Sequence, residues 1–508
     1  MGAITLTEYE DRRIIQRYAT SEERNINLSG TQSGGTSIEA RIVNDGTDPA
    51  PGGADEITGW FVVDASPTTS WAGTILVPQG GWYNIQVRLS NETTTIHKSS
   101  IKVGVGIIFW MCGQSNAQGF FYNSNSIHPV ASSDDLSAQW YFNMYDSNLL
   151  PSDPNYWGPN LPALEFESPV GVSRAGTVTL CNILAARYGC PVGCVNGAVG
   201  GSSSNTWNNA SDTNVVRAKS AIDTTVDGEI EFIVWNQGEA DAAFNPSEAT
   251  YAAAIQTVRS VLRAGRTNFS KDSAIPFLIN QLSAYIVTGQ DNGYNNVRAA
   301  QAGADGASST YLCATGGDFG LRNNSPYIHY NWEGHIKYAE RIAQTVMYIN
   351  GDETYYRGPQ ISSLVAEAQS QFSVYVSGAG SNLTPASGIV GFHIYDGVTE
   401  ITPVSVTSSG NKITIVLPGD YPTTLTVHYL FGSAIDFVPV SPAEPAGSQY
   451  TSYRNDYAVI DNTTYQLPLE PMIDMSIDLS SAPLNPGKGG RLINGSLGFP
   501  LINGGLIN

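Results

Sequence analysis

The sequence is poor in positive charge and in long apolar runs, and each shortage argues against a class of protein. Its 508 residues hold 25 Lys and Arg against 45 Asp and Glu, a formal net charge of −20. A nucleic-acid partner is not expected, because phosphate binding depends on clustered cations, and anionic membrane surfaces are disfavoured as well. The longest apolar stretches run to about ten residues, too short to span a bilayer, so no membrane insertion is predicted.

Cysteine is also scarce. The five cysteines are an odd number and too few for a disulfide framework in a chain of this size, which predicts mostly free, buried thiols. Cys190 and Cys194 are spaced like metal ligands, but no second Cys or His pair completes a four-ligand set. Neither a metal nor a cofactor is expected. Residues 1–17 are polar and charged, without the apolar core of a signal peptide.

Glycine, proline and tyrosine are plentiful, and they indicate a fold rich in turns and strands. The chain has 52 Gly, 27 Pro and 26 Tyr, with 41% hydrophobic and 14% charged residues. Such a composition favours β-rich modules over long charged helices. The length exceeds one ordinary hydrophobic core, so several domains are expected.

The pattern along the chain changes three times. Residues 1–103 contain short strands and predict an immunoglobulin-like β-sandwich, with 81–89 as a half-buried antiparallel strand. Residues 104–351 alternate strands with amphipathic helices, which predicts a doubly wound, parallel, flavodoxin-like α/β sheet. Strands return in a second predicted sandwich over 352–450. Residues 451–508 are expected to be an extended segment with a Gly- and Asn-rich tail, either flexible or added as a strand to a partner subunit or larger assembly.

Two helices of the middle region are predicted from their periodicity. The sequence Asn-Pro-Ser-Glu at 245–248 predicts a helix start with proline at the first helical position and glutamate at the third. The buried faces are then expected from the apolar spacing. In the first helix they are Tyr251, Ile255, Val258 and Leu262, and in a later one Ile336, Ala339, Ile342 and Val346.

The sequence Gly-Gln-Ser-Asn-Ala-Gln-Gly at 113–119 directly follows the apolar run 107–112. That run predicts a buried parallel strand, which places Ser115 at the carboxyl end of a central strand, where open α/β sheets bind ligands. A hydroxyl there is the expected site of a nucleophile whose oxyanion is stabilised by nearby N–H groups.

A serine nucleophile needs a base, and the chain has six histidines. Three fall in the flanking strand-rich parts: His97, His393 and His428. In the α/β part, His329 lies on a loop just before the helix expected near Asn331, at the edge of the sheet where a base would meet Ser115. His335 is expected to pack or face solvent, and His128 to lie at the surface or line the substrate site.

Two further segments suit a hydrolase site. A glycine-rich turn, which includes Gly200 and Gly201, follows a strand-like run and lets backbone N–H groups approach an oxyanion. It lacks the ending of a P-loop, so nucleotide binding is not expected. The apolar run 232–235 ends in a cluster of amide and acid groups up to 241. Such groups cost desolvation at a strand end unless they serve a site.

Four blocks in this order resemble the SGNH hydrolases. They are Gly-Gln-Ser-Asn at 113–116, the Gly-Gly-Ser segment at 198–207, Trp-Asn-Gln-Gly-Glu at 235–239 and His-Tyr-Asn-Trp-Glu-Gly at 329–334. The branch they resemble is that of the sialate O-acetylesterase-like and acetylxylan esterase-like carbohydrate esterases. The resemblance extends into the flanking regions through Gly-Gly-Trp-Tyr at 80–83 and Leu-Pro-Leu-Glu-Pro at 467–471.

The resemblance implies a role for each site residue. Ser115 would be the acylated nucleophile and His329 the general base and then acid. The oxyanion would be held by the N–H of Ser115, by Gly200 or Gly201, and by the Gln237 amide. Gln114 and Asn116 flank the nucleophile as oxyanion or substrate contacts.

The chain departs from the family pattern at the triad acid. The usual aspartate three residues before the histidine is replaced by Pro326. Glu239 matches the glutamate that some members look to use instead, and it is the preferred acid. Asp318, Asp241 or no acid at all remain open, since a Ser-His dyad can still act. Glu239 would then be a structural group that forms a hydrogen bond with the Gly-Gln-Ser-Asn turn.

These features predict an enzyme that removes O-acetyl groups from a polysaccharide, with an acetylated polysaccharide as its partner. The alternative is a non-catalytic glycan-binding attachment or spike protein on the same scaffold. A polymeric substrate without an export signal favours an extracellular or phage tail or spike protein, with a homo-oligomer or attachment through the termini also expected. The long loop 122–171 is expected to set specificity, its aromatic residues Trp140, Tyr141 and Trp157 either stacking on sugars or packing locally.

Overall fold

A computed structural model describes residues 2–44, 52–120, 175–285, 289–321, 328–378, 382–432, 438–439, 453–454, 467 and 469–484. The nucleophile segment 113–119 is described in full, whereas the long loop 122–171 lies outside the described residues. The Gly- and Asn-rich tail after residue 484 lies outside the described residues, as do His128, Trp140, Tyr141, Trp157 and Pro326.

The N-terminal part is built from strands that form two sheets around an apolar core. They are β1 (Ala3–Ile4), β2 (Arg13–Gln16), β3 (Glu23–Ser33), β4 (Ile38–Asn44), β5 (Phe61–Asp64), β6 (Ser70–Pro78), β7 (Gly80–Leu89) and β8 (Ile96–Lys98). Strands β1, β3 and β6 make one sheet, and β4, β5, β7 and β8 belong to the other. Their facing side chains, among them Ile26, Ile42, Trp71 and Ile85, share one buried cluster.

Strand β7 is not half-buried, as predicted, but buried at almost every residue. Its polar face is covered by its own neighbours. The amide of Asn84 donates to the Ile101 carbonyl at 2.9 Å, and the Gln86 amide oxygen accepts from Arg41 at 2.7 Å. Period-two alternation therefore marks the two faces of this strand correctly but misjudges their exposure.

The middle part alternates strands and helices. Its elements are β9 (Val103–Gly113), α1 (Ser115–Gly119), α2 (Ala175–Tyr188), β10 (Val192–Asn196), α3 (Thr213–Val226), β11 (Phe232–Asn236), α4 (Glu239–Ala242), α5 (Glu248–Arg263), β12 (Phe277–Gln281), α6 (Asp291–Gly303), β13 (Thr310–Thr315) and α7 (Trp332–Asn350). The strands lie in the order β10, β9, β11, β12, β13, and every pairing is parallel. This is the flavodoxin-like order, in which ligands bind where the strand order reverses.

Helices cover both faces of this sheet. On β9, Ile107, Phe109 and Met111 belong to the same buried cluster as Leu180 of α2 and Ile342 of α7. The alternate residues Ile108, Trp110 and Cys112 pack instead with side chains of α3, α5 and α6. Because successive side chains of a strand point to opposite faces, the run 107–112 is buried throughout, and the parallel α/β core predicted from the sequence is confirmed.

Strand β9 pairs with strands of both the N-terminal part and the parallel sheet. Residues Val103 to Gly106 pair with β2, and Val103 and Val105 pair with β7 of the N-terminal part, while Ile107 to Gly113 pair with β10 and β11. The boundary expected between residues 103 and 104 therefore falls inside one continuous strand.

The C-terminal part is antiparallel. Its strands are β14 (Gln360–Ala368), β15 (Gln371–Ser377), β16 (Phe392–Asp396), β17 (Thr399–Ile401), β18 (Ser405–Ser409), β19 (Lys412–Val416), β20 (Thr424–Tyr429), β21 (Val438–Pro439), β22 (Tyr453–Arg454) and β23 (Met472–Asp478). Two four-stranded sheets run in the orders β14-β15-β19-β18 and β17-β16-β20-β23. Since β23 pairs with β20, the boundary expected at residue 450 leaves out one strand of this module.

The helix starts show where local sequence rules hold. Helix α7 begins after Asn331, whose side-chain oxygen accepts from the Gly334 N–H at 2.9 Å, as expected. Helix α5 begins two residues later than predicted, because Ser247 and not Asn245 caps it by accepting from the Thr250 N–H. Its predicted apolar face is confirmed as buried.

All five cysteines lie in the described part of the chain, are buried and form no disulfide, as predicted. No helix of the described ranges is both long enough and apolar enough to cross a bilayer.

Candidate active site

Ser115 lies at the carboxyl edge of the parallel sheet, between β9 and β11. Gly113 is paired with Asn236 and has φ +128°, and a Cβ there would collide with the Asn236 carbonyl oxygen. Only glycine suits that position. The next N–H, of Gln114, donates to the same carbonyl at 2.9 Å. This tight turn brings half-buried Ser115 to the start of α1.

Asn116 connects two segments of the site. One is the turn at 113–115, which we call the nucleophile turn, and the other is the segment 328–330 around His329, which we call the histidine loop. Its side-chain oxygen accepts from the Tyr330 N–H at 2.9 Å, and its amide nitrogen donates to the Ile328 carbonyl at 3.1 Å. The residue after Ser115 therefore holds both chain neighbours of half-buried His329. We call these two hydrogen bonds the asparagine clamp. The sequence analysis assigned Asn116 to the oxyanion or substrate, whereas the structure gives its side chain this bridging position.

Glu239 lies behind the asparagine clamp. One carboxylate oxygen accepts from the Asn116 amide at 2.6 Å, and the other has no hydrogen-bond partner among the described residues. Burial, with a contribution from the charge of Asp241, raises the pKa of Glu239 to about 7. Glu239 reaches the histidine loop through Asn116, whose amide also donates to the Ile328 carbonyl at 3.1 Å.

The other two acids considered from the sequence are engaged elsewhere. Asp318 receives two hydrogen bonds from Arg341, at 2.8 and 2.7 Å, and one from Lys337 at 3.0 Å. Burial would raise the pKa of Asp318, but these cations hold it below its usual range. Asp241 accepts from the Ser204 N–H at 2.9 Å and the Ser204 hydroxyl at 2.6 Å. Both acids therefore stabilise the surrounding elements.

Gln237 is a scaffold residue, which argues against its predicted role as an oxyanion donor. It is fully buried, and its amide nitrogen faces the Gln114 side-chain oxygen, the Ser202 carbonyl and Asp241. Its own side-chain oxygen accepts from the Tyr251 hydroxyl at 2.8 Å. An amide has two N–H hydrogens, and three protein acceptors already surround this one.

Gln114 is likewise part of the support. It is buried, and besides Gln237 its side-chain oxygen accepts from the Ala240 N–H at 3.1 Å. Together Gln114 and Gln237 tie the nucleophile turn to the end of β11.

The glycine loop after β10 lies on the same edge of the sheet. The Val199 N–H donates to the Gly113 carbonyl at 2.9 Å, which seats the loop on the end of β9. Gly200 is half-buried, and Gly201 is exposed with φ +69°. The Ser202 hydroxyl closes the turn by donating to the Val199 carbonyl at 2.7 Å. The structure thus brings the glycine N–H groups to the edge that carries Ser115.

Sequence reasoning did not find the polar layer beneath the histidine loop. The Asn280 amide, at the end of β12, donates to the Tyr330 hydroxyl at 2.8 Å and to the Asn236 side chain at 3.3 Å. The sequence feature that could have indicated this layer is that each of two neighbouring apolar strands, β11 and β12, has an asparagine at or near its end, Asn236 and Asn280. His335 is buried, and its ring packs against Phe120 and Tyr330, as expected of a packing residue.

No group of three or more His, Cys, Asp or Glu within the described ranges is placed to hold a metal ion.

Part of the chain matches a known protein family, and most of it matches a solved structure. Residues 105–348 match the family model described as "carbohydrate esterase, sialic acid-specific acetylesterase". No curated protein matches the chain with significant similarity. Among solved structures, a carbohydrate acetylesterase from Xanthomonas citri is 17% identical, with a TM-score of 0.54, covering 94% of this chain and 100% of that one.

Two further solved structures match over about half of the chain. A protein from Arabidopsis thaliana is 19% identical, with a TM-score of 0.35, covering 48% of this chain and 98% of its own. A carbohydrate acetylesterase from Sinorhizobium meliloti is 12% identical, with a TM-score of 0.28, covering 48% and 99%.

The family match covers the parallel sheet from β9 to α7, and with it all four sequence blocks and the asparagine clamp. At this level of identity the Xanthomonas citri structure bears on the fold alone. Residues 105–348 are a carbohydrate esterase domain of the SGNH type.

Proposed function

We propose that the protein is a carbohydrate O-acetylesterase that removes acetyl groups from a polysaccharide through an acyl-serine intermediate. The observation that carries the proposal is the asparagine clamp, by which the residue next to Ser115 holds both neighbours of His329. A nucleophile and a base fixed to one another through a buried side chain suit acyl transfer, in which small errors of position are expensive.

In the first step the Ser115 hydroxyl oxygen attacks the acetyl carbonyl carbon while the His329 imidazole takes the hydroxyl proton. The carbonyl oxygen becomes an oxyanion, which the N–H of Ser115 and the N–H of Gly200 or Gly201 stabilise. The intermediate then expels the sugar oxygen, which receives the proton from His329. The products of this step are a free sugar hydroxyl and acetyl-Ser115.

In the second step a water molecule attacks the acetyl-serine carbonyl, with His329 again taking the proton. Collapse of the second intermediate breaks the bond to the Ser115 oxygen, which recovers its proton from His329. Acetic acid leaves and ionises to acetate at neutral pH.

Glu239 supports this chemistry as a positioning residue. Its carboxylate accepts a hydrogen bond from the Asn116 amide, and that amide also donates to the Ile328 carbonyl. The orientation of the histidine loop therefore depends on Glu239 through one intermediate side chain. The role of triad acid, predicted from the sequence, stays the alternative to this positioning role.

Hydrolysis of p-nitrophenyl acetate by Ser115→Ala tests the proposal. Turnover should fall to the uncatalysed rate, because the nucleophile is lost, whereas Ser211→Ala, which removes an exposed hydroxyl of the same domain, should match the wild type. Acetate release from an O-acetylated polysaccharide should follow the same order. If wild type and Ser115→Ala hydrolyse both substrates equally slowly, the protein is the glycan-binding alternative.

Place of action and assembly remain predictions from the sequence. An enzyme acting on polymeric glycans works outside a cytoplasm, which favours an extracellular protein. Association with a phage tail or spike, a homo-oligomer and attachment through the termini are proposed on the sequence alone.

A further inference from the structure

A cavity lies beside the glycine loop, and neither Ser115 nor His329 is among its lining residues. Its volume is about 610 Å³, and it opens between the loop that follows Ser202, the end of α4 and the first turns of α5. Its lining includes Ser203, Asn205, Asn208, Asp241, Phe244 and Tyr251. A cavity of this size suits a small ligand or a sugar residue.

The lining offers the two kinds of contact that bind sugars. Phe244 is 84% exposed, so one face of its ring is open to the C–H face of a sugar ring. Amide and hydroxyl side chains also line the cavity. Asn205 is exposed, and its side-chain oxygen meets the Asn208 amide at 3.4 Å, a long hydrogen bond that a sugar hydroxyl can replace. Ser203 adds a half-buried hydroxyl.

The lining presents no open charge. Its one acidic residue, Asp241, is buried and already accepts from Ser204 and Gln237. Tyr251 is buried as well, and burial raises its pKa well above the usual value, so it stays neutral. Among the described lining residues there is no Lys or Arg to pair with a carboxylated sugar. These features fit a neutral sugar.

The cavity is tied to the catalytic support by hydrogen bonds. Ser204 donates to Asp241, Asp241 accepts from Gln237, and Gln237 donates to Gln114 in the nucleophile turn. Its wall also begins one residue after Ser202, which closes the glycine loop. A ligand in the cavity would thus contact the same hydrogen-bonded network that supports the nucleophile turn.

We propose that this cavity is a subsite for a neutral sugar residue of the polysaccharide, adjoining the residue that is deacetylated. The proposal rests on the proposed function and deepens it, because it makes the substrate an oligomer and not a free monosaccharide. Phe244 supplies the stacking face, and Asn205 and Asn208 supply the hydrogen bonds.

The experiment compares Phe244→Ala with wild type on three probes. They are p-nitrophenyl acetate, O-acetylated monosaccharides, and O-acetylated neutral oligosaccharides built on xylose, glucose and mannose. The wild type should favour at least one oligosaccharide over its monosaccharide in kcat/KM. In Phe244→Ala that oligosaccharide should lose about fivefold or more, mainly through KM, because a ground-state contact is removed. Hydrolysis of p-nitrophenyl acetate and the melting temperature should not change.

Phe61→Ala is the matched control, because Phe61 is also an exposed phenylalanine, at 56%, but lies on β5 of the N-terminal part. It should behave as wild type on every probe. The subsite is overturned if the wild type shows no oligosaccharide preference, or if Phe244→Ala leaves that preference intact or lowers p-nitrophenyl acetate hydrolysis equally. O-acetylated oligogalacturonate serves as a fourth, charged probe, and a loss confined to it would overturn the neutral sugar. Failure of the proposed function is distinct, since Ser115→Ala would then keep wild-type hydrolysis.

Discussion

Arg17 and Glu231 form a buried, two-pronged ion pair between segments that are far apart in the sequence. The guanidinium donates through two nitrogens to the two carboxylate oxygens, each at 3.0 Å. Gln16 adds a third hydrogen bond to the same carboxylate at 3.1 Å. Arg17 directly follows β2, and Glu231 directly precedes β11, so the pair joins the N-terminal part to the esterase sheet.

Arg17→Met should destabilise the protein strongly. Removing one partner of a buried pair leaves the other charge uncompensated, so the free energy of unfolding should fall by about 3–5 kcal/mol. Urea denaturation measures this. Arg187→Met serves as the control, because its pair with Asp352 is partly exposed and its loss should have little effect. A double variant, Arg17→Met with Glu231→Met, that is no more stable than Arg17→Met would contradict the explanation.

Asn116→Ala should impair turnover far more than its effect on stability explains. It removes the asparagine clamp, so kcat on p-nitrophenyl acetate should fall by about 100-fold or more. The control is Asn295→Ala, which removes another buried asparagine, one that accepts from the Gly432 N–H at 2.9 Å. That variant should lose stability but keep its kcat. Wild-type kcat in a folded Asn116→Ala would separate the clamp from catalysis.

Glu239→Gln and Glu239→Ala distinguish a positioning role from that of a triad acid. Glutamine keeps an oxygen to accept from Asn116, so its kcat should stay within about threefold of wild type, whereas alanine should lose a large part of the effect of Asn116→Ala. Steady-state kinetics with p-nitrophenyl acetate measure both. If the glutamine variant loses orders of magnitude, the negative charge itself matters and Glu239 returns to the role of triad acid.

Glu239 should also make stability depend on pH. Its pKa is raised from 4.5 to about 7, mainly by burial. Between these values the folded state holds a proton that the unfolded chain has lost, so this group's contribution to stability falls as pH rises from 4.5 to 7. The loss amounts to about 3 kcal/mol. Glu239→Gln removes the titration, so its stability relative to wild type should increase over that range in urea denaturation. A constant difference from pH 4.5 to 7.5 would refute this.

The fold was largely predictable because its core strands and helices have clear patterns in their own local sequence. The run 107–112 is apolar at every residue, as a strand covered on both faces must be, and α5 and α7 carry clear 3.6-residue periodicity. The sharing of β9 between two sheets was not predictable, since it depends on pairing Val103 to Gly106 with residues 13–16. No local pattern encodes a contact of that range.

The residues of the site also fall into those that local sequence predicts and those that it does not. Ser115 and His329 could be proposed from their neighbours, one after a buried strand and one before a helix. The positions of Asn116 and Gln237 could not, because an amide side chain is equally suited to substrate, oxyanion or scaffold. Asn116 finds its partners more than 200 residues away, at Ile328 and Tyr330. The start of α5 was predicted two residues too early because Asn245 and Ser247 are both good N-cap residues and the sequence does not distinguish them.

The path of β9 has a mechanical consequence. A linker would let the N-terminal part turn freely, but here the same backbone leaves one sheet and continues as a strand of the next, between β10 and β11, ending at the nucleophile turn. Whatever anchors the N-terminal part would therefore also fix the orientation of the sheet edge that carries Ser115.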